Sequence, residues 1–153
     1  MKIRIDIDES ISEEEVIIRC RTLSDEVAQL QRMLAQTVTR GQKLAFYRGD
    51  TEFYLSPDSI LFFETDENGI AAHTGEHTYR TDYKLYELEK LLPPNFMRIS
   101  KSAILNVNRI YSISRNIGTA AMVQFHGTHK QVYVSRMYYK VLKERIEEKR
   151  LSL

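Results

Sequence analysis

The chain is short of the residues from which disulfide scaffolds, zinc sites and membrane spans are made. One cysteine, Cys20, among 153 residues leaves no disulfide framework and no multi-cysteine zinc site. No apolar run approaches 18 residues, so no transmembrane helix is expected. The opening MKIRIDIDESISEEE alternates charges and does not read as a signal peptide. These absences lead us to expect a soluble, cytoplasmic protein. Catalytic signatures are missing as well. There is no GxGxxG, no Gly-Lys-Ser/Thr phosphate loop, no GxSxG elbow and no HExxH. His73 and His77 form one pair and His126 and His129 another, both without a carboxylate cluster nearby. The alternation around Cys20 places its thiol inward on a strand, where it is inert. No base, nucleophile and orienting group assemble, so we expect no enzyme, no cofactor, no metal and no small-molecule substrate.

What is present is enough apolar material for a core and an uneven distribution of charge. Hydrophobic residues make up 42% and charged residues 28%, which suits one domain with a small appendage. The formal net charge is +1, but the total hides a split. Residues 96–153 carry eleven Lys/Arg against three Glu, a charge of +8. Residues 1–95 carry eleven basic against eighteen acidic side chains, −7. Such asymmetry is the footprint of a polyanion partner on one side. The terminal helix explains part of it, because Lys140/Glu144 and Lys143/Glu147 stand at i,i+4. It leaves Arg98, Lys101, Arg109, Arg115, Lys130 and Arg136 without acids nearby in sequence.

Residues 2–8 (KIRIDID) and 14–21 (EEVIIRCR) alternate apolar and charged positions and predict two strands. Ser24 then caps a helix over 25–36, with Val27, Leu30, Met33 and Leu34 on one side. This β-β-α unit, residues 1–41, is too small to bury a core alone and must lean on the rest of the chain or on a second copy. A second region, 42–150, reads as many short strands separated by Gly, Asn, Asp and Pro turns. Strands are expected over 43–48, 51–55, 60–65, 70–74, 78–81, 96–99, 103–106, 109–114, 119–125 and 131–134. A short helix over 84–92 stops at Pro93-Pro94, and a terminal helix begins after Ser135, with Tyr138, Val141, Leu142, Arg145 and Ile146 on one side. The fold class is therefore mainly β, α+β when the helices are counted.

Two stretches carry functional information: FMRISKSAILNVNRIYSI (96–113) and VQFHGTHKQVYVSRMYYKVLKERI (123–146). The first places Ser100 and Lys101 at an exposed turn between strands. The second delivers Ser135 and Arg136 to a helix start. A cation in the first helical turn opposes the helix dipole, a poor place for a purely structural Arg and a good one for reaching a phosphate or a guanine edge.

Together with FFE (62–64), the run LLPPNFMRISKSAILNVNRI and the strand-to-helix run VYVSRMYYKVL, these residues resemble the LytTR family of bacterial DNA-binding domains. The likeness covers about residues 43–146. It implies an elongated β-β-β arrangement of some ten short strands, whose loops enter successive major grooves on one face of double-stranded DNA. It further implies base contacts from Asn68 in the Asp66-Glu67-Asn68 loop, from Lys101, and from Arg136. That first loop departs from relatives with a His or basic residue there. Arg98, Ser100 and Ser135 stand beside these positions, and Arg115, Asn116, His129 and Lys130 lie in turns suited to phosphate contacts.

The resemblance implies a stand-alone transcriptional regulator. About forty residues precede the domain, too few for a receiver, so phosphorelay control through this chain is not expected. Residues 1–41 are expected to serve self-association, giving a homodimer or paired copies on repeated sites, or to dock an inhibitory membrane-protein partner. The competing function is a protein-interaction adaptor whose basic half binds an acidic partner. An RNA-binding β domain fits less well, because the tyrosines form no exposed aromatic run.

Overall fold

The computed structural model describes residues 2, 4–10, 12, 15–39, 43–115 and 120–151. The chain enters through helix α1 (Asp25–Thr39). There the Ser24 hydroxyl accepts from Val27 N–H at 3.3 Å and the Ser24 carbonyl from Ala28 N–H at 2.9 Å, as an N-cap should. Strands β1 (Leu44–Arg48), β2 (Thr51–Leu55), β3 (Phe62–Asp66), β4 (Gly69–His73) and β5 (Thr78–Thr81) follow. Helix α2 (Leu85–Leu91) ends before Pro93-Pro94. Then come β6 (Phe96–Ser100), β7 (Ala103–Asn106), β8 (Ile110–Ser114), β9 (Ala121–Phe125), β10 (Gln131–Val134) and helix α3 (Arg136–Leu151). The mainly β class and nearly every boundary expected over 42–150 are found.

Seven strands form one antiparallel sheet in the order β2-β1-β5-β4-β3-β7-β6, and three form a second in the order β10-β9-β8. The larger sheet is buried on both faces because its central strands alternate between two cores. Phe62, Leu105, Met97 and Ile99 face the small sheet, where Val123, Phe125, Val132 and Val134 meet them with Leu142 of α3. Phe63, Ile104 and Phe96 point the other way, onto Leu85, Leu88 and Leu92 of the α2 segment, beside Phe46, Ala72 and Tyr79. The consecutive Phe62 and Phe63 thus serve opposite cores, which is why β3 reads as a continuous apolar run. Sliding β3 by one residue would exchange the two faces.

His73 closes the edge of the first core. Its ring stacks on Phe62 with centroids 4.2 Å apart, and its Nε2 lies 2.8 Å from Glu64 Oε1. Burial holds the His73 imidazole below its ordinary pKa, against the pull of the Glu64 carboxylate.

Three local expectations are corrected. First, the described residues of 2–8 and 14–21 belong to no strand; residues 3 and 14 lie outside those described. Neither buried cluster includes a residue before Leu44, so the core of the domain offers these segments no cover. Second, Cys20 is exposed rather than inward, as follows once that strand is missing. Third, Tyr139 packs on the core where Val141 was expected, and Val141 is 49% exposed. Within the α1 stripe, Val27, Leu30 and Leu34 are half-buried, while Met33 is exposed.

Candidate nucleic-acid interface

Register decides which turns share an end of the molecule. In the antiparallel pair of β3 and β7, Glu64 stands opposite Ala103, so the end of β3 adjoins the start of β7. Thr65 N–H donates to the Ser102 carbonyl at 2.8 Å. The β3–β4 turn with Asn68 and the β6–β7 turn with Lys101 are therefore neighbours. A second backbone bond brings in the third element: Ser135 N–H donates to the Ile99 carbonyl at 2.9 Å. That bond fixes the start of α3, and with it Arg136, two residues from Lys101 across the join between the sheets. Asn68, Lys101 and Arg136 are all exposed.

Each turn has its own internal support. In the first, the Asp66 carboxylate accepts from Asn68 N–H at 2.8 Å and from Arg80 Nη1 at 2.6 Å. The Arg80 guanidinium and that N–H hold the Asp66 carboxyl below the usual carboxylate range. One of the two acids in this loop is thereby spent on shaping it. Gly69 closes the turn at φ +115°, a conformation that side chains bearing a Cβ rarely adopt. In the second turn, Ser100 Oγ accepts from Ser102 N–H at 3.1 Å. The pairing of β6 with β7 shifts register between Arg98 and Ser100, a bulge of the kind that re-aims a neighbouring side chain.

Arg98 is the staple of this turn. Its Nε donates to the Ser100 carbonyl at 2.8 Å, its Nη1 to Glu89 Oε1 at 2.6 Å, and its Nη2 to the Lys101 carbonyl. The guanidinium is committed within the chain, so Arg98 positions Lys101. We expect Arg98→Ala to lower stability by about 1 kcal/mol and to weaken DNA binding while Lys101 remains in place. Urea unfolding and a DNA titration on the same variant check both effects. Arg98→Lys should fail to rescue, because one ammonium cannot span three acceptors held by a planar fork.

The remaining expected residues separate into two groups. Arg115 follows β8 at the same end of the small sheet as α3, since Ser114 pairs with Met122 and Met122 with Tyr133. Its guanidinium carbon lies 5.0 Å from the Tyr139 ring centroid, which holds it beside the first turns of α3. Ser135 starts the helix with its carbonyl, accepting from Tyr138 and Tyr139 N–H at 3.1 and 3.0 Å. Its hydroxyl oxygen is buried and makes no hydrogen bond, so the side-chain cap is not formed. His129 and Lys130 sit in the β9–β10 turn, at the opposite end of β10 from Arg136. Lys130 Nζ donates to the His77 carbonyl at 2.6 Å and lies 3.3 Å from Thr78 Oγ1. Burial pushes its ammonium pKa down. These two residues are not part of the converging set. Asn116 lies outside the described residues.

The supporting residues Glu89, Arg80 and Ser102 were missed in the sequence. Each acts through a partner brought close by strand register, at 9, 14 and 37 positions' separation, which no local pattern announces. Tyr133 and Met137, which flank the α3 start, are 57% and 78% exposed and were also passed over, because an apolar residue there reads as core.

The order of strands and the convergence of the Asn68 turn, the Lys101 turn and the Arg136 helix start fit one family. The family model of the LytTr DNA-binding domain matches residues 50–147. The chain belongs to that family. A solved LytTr DNA-binding domain from Bacillus cereus superposes with a TM-score of 0.62 at 23% identity, covering 67% of this chain and 94% of that one, and carries the fold. Proteins named uncharacterized HTH-type transcriptional regulators in Staphylococcus aureus strains NCTC 8325 and MRSA252 are 26% and 25% identical over 146 residues. The match spans 95% of this chain and 98% of each relative, so the likeness runs beyond the LytTr region. No pair of helices joined directly by a short turn occurs among the described residues: strands separate α1, α2 and α3. The LytTr domain here presents turns and one helix start. No described helix is long and apolar enough to cross a membrane.

Proposed function

We propose that this chain is a sequence-specific DNA-binding transcriptional regulator of the cytoplasm. Asn68, Lys101 and Arg136 read base edges in the major groove, and Arg115 contacts phosphate. The observation that carries the reading is the pair of backbone bonds, Thr65 to Ser102 and Ser135 to Ile99, which hold three sequence-distant exposed turns at one end of the molecule. Arg offers a bidentate fork to guanine, Asn can pair with adenine, and Lys is a mobile donor for guanine or phosphate. The name shared by the staphylococcal relatives supports the regulatory role. Paired copies on repeated sites follow if residues 1–41 form a unit apart from the DNA-reading domain 42–150 and serve self-association; the same unit could instead receive an inhibitory partner.

Selection of bound genomic fragments by the purified full chain, followed by titration of the enriched duplex against salt, tests the proposal. A DNA reader binds the enriched duplex at physiological salt, with log K falling linearly as log salt rises. No enrichment over random fragments would favour the adaptor reading, in which the basic half meets an acidic protein.

A further inference from the structure

The described residues before α1 leave large apolar side chains in water: Ile5 is 83% exposed, Ile7 90%, Val16 68% and Ile17 62%. Helix α1 meets α3 through an Arg32–Glu148 ion pair at 3.5 Å, with both side chains more than half exposed. Two alternating segments in such an arm invite a hairpin, yet the charges oppose it. The register that sets Ile5 against Ile18 and Ile7 against Val16 also sets Lys2 against Arg21, Arg4 against Arg19 and Asp8 against Glu15. Like charges directly opposite are destabilising. A slip of two residues one way gives Lys2 against Arg19 and Asp6 against Glu15, and the other way sets Arg4 against Arg21 beside one attractive pair, Asp6 against Arg19. Parallel pairing within one chain is closed too, because the connection is far shorter than the dozen or so residues a crossover needs.

Against a second copy of itself, the first segment has no such conflict. Turned antiparallel about Ile5, Lys2 faces Asp8, Arg4 faces Asp6, and Ile5 faces Ile5. The apolar positions share one face and every charged position meets its opposite. Residues 15–19 repeat the device about Ile17, with Glu15 facing Arg19 and Val16 facing Ile18. Arg4 already meets its own Asp6, Nε to Oδ1 at 2.7 Å, with both side chains mostly exposed, so pairing only redirects an existing attraction. Asp8 accepts from Ser10 N–H at 2.9 Å, which turns the chain away after the last paired residue. We infer that the arm of a second copy covers this arm, joined as an antiparallel ribbon that sets Lys2 against Asp8 and Arg4 against Asp6, with a two-fold axis at Ile5. The contact is isologous, as a closed dimer requires, and it covers one of the two edges of each strand.

Sedimentation of the full chain over micromolar concentrations, without DNA, tests this. Wild type should dimerise. Arg4→Asp or Asp6→Arg alone converts two attractive pairs per dimer into two repulsive ones and should raise the dissociation constant at least about tenfold. The double variant Arg4→Asp/Asp6→Arg restores opposite charges and should return close to wild type. A monomeric wild type, or a dimer indifferent to the single reversals, overturns the inference. The axis has its own check in a Cys20→Ser background. Ile5→Cys places two thiols on opposed positions, at a Cα separation of about 4.5–5.5 Å, and should cross-link on mild oxidation. Ile7→Cys leaves its copies about 14 Å apart along the ribbon and should cross-link far more slowly; equal rates would refute the register. The inference is independent of DNA recognition: a chain that dimerises this way but enriches no DNA fragment would overturn only the proposed function.

Discussion

Arg136→Ala is expected to weaken binding to the selected duplex by about 1–3 kcal/mol, roughly 5- to 150-fold, and to relax the preference at one base pair. The expectation rests on placement. Arg136 opens α3 at the point where the Ser135–Ile99 backbone bond anchors the helix to the large sheet, so the side chain starts from a fixed origin. Urea unfolding of the same variant separates a loss of affinity from a loss of stability. Lys101→Ala separates two roles for its ammonium. If it meets a phosphate, the slope of log K against log salt becomes shallower by about one and all sequences lose affinity alike. If it meets a guanine, the slope stays and one position of the site degenerates. The double variant Lys101→Ala/Arg136→Ala should bind the selected duplex no better than random DNA. Wild-type affinity in that variant would reject the site assignment. Lys130→Ala, at the far end of β10 and bonded to His77 and Thr78, should change affinity much less than either.

Local chemistry made most of the domain legible. Turn residues punctuate strands of four or five residues, and each hairpin expected at Gly49-Asp50 or Asn68-Gly69 is found with its glycine at positive φ. Pro93-Pro94 ends α2 and Ser24 caps α1 as their chemistry dictates. The segment before α1 was misread because alternation states only that one face could be buried. It does not state what covers that face, and the like charges opposed in an intrachain hairpin are invisible until a register is tried. The site divides in the same way. Exposed cations at turn tips can be seen in a linear sequence, which is how Lys101 and Arg136 became candidates. Long-range register cannot be seen, so Arg98 read as a phosphate contact or a supporting residue, and its contacts to Glu89, Ser100 and Lys101 were not foreseen. Lys130 read as a phosphate contact provided that its turn faced the same way as the others, and the length of β10 separates it from Arg136.

Phe125→Ala should have the largest effect on stability, about 3–5 kcal/mol lost in urea unfolding. Phe125 is 1% exposed and lies at the centre of the contact between the two sheets. Its ring stacks on Phe62 of β3, with centroids 5.4 Å apart and planes 15° from parallel. Removing it leaves a cavity flanked by Phe62 and the small sheet, which close-packed neighbours relax into only partly. The functional consequence follows from which elements that contact joins. Asn68 and Lys101 ride on the large sheet, while Arg136 follows the last strand of the small one. Between the sheets, the Ser135–Ile99 bond sets the position of the α3 start, but one hydrogen bond does not fix an angle between layers; the packed ring pair does. At temperatures where Phe125→Ala remains folded by circular dichroism, specific affinity should therefore fall more than non-specific affinity, because a tilt between sheets misplaces Arg136 relative to Lys101 and leaves the total charge unchanged. Phe125→Leu, which refills most of the volume, should recover much of both stability and specificity. Equal loss of specific and non-specific binding in the folded alanine variant would show that the layer contact contributes only stability.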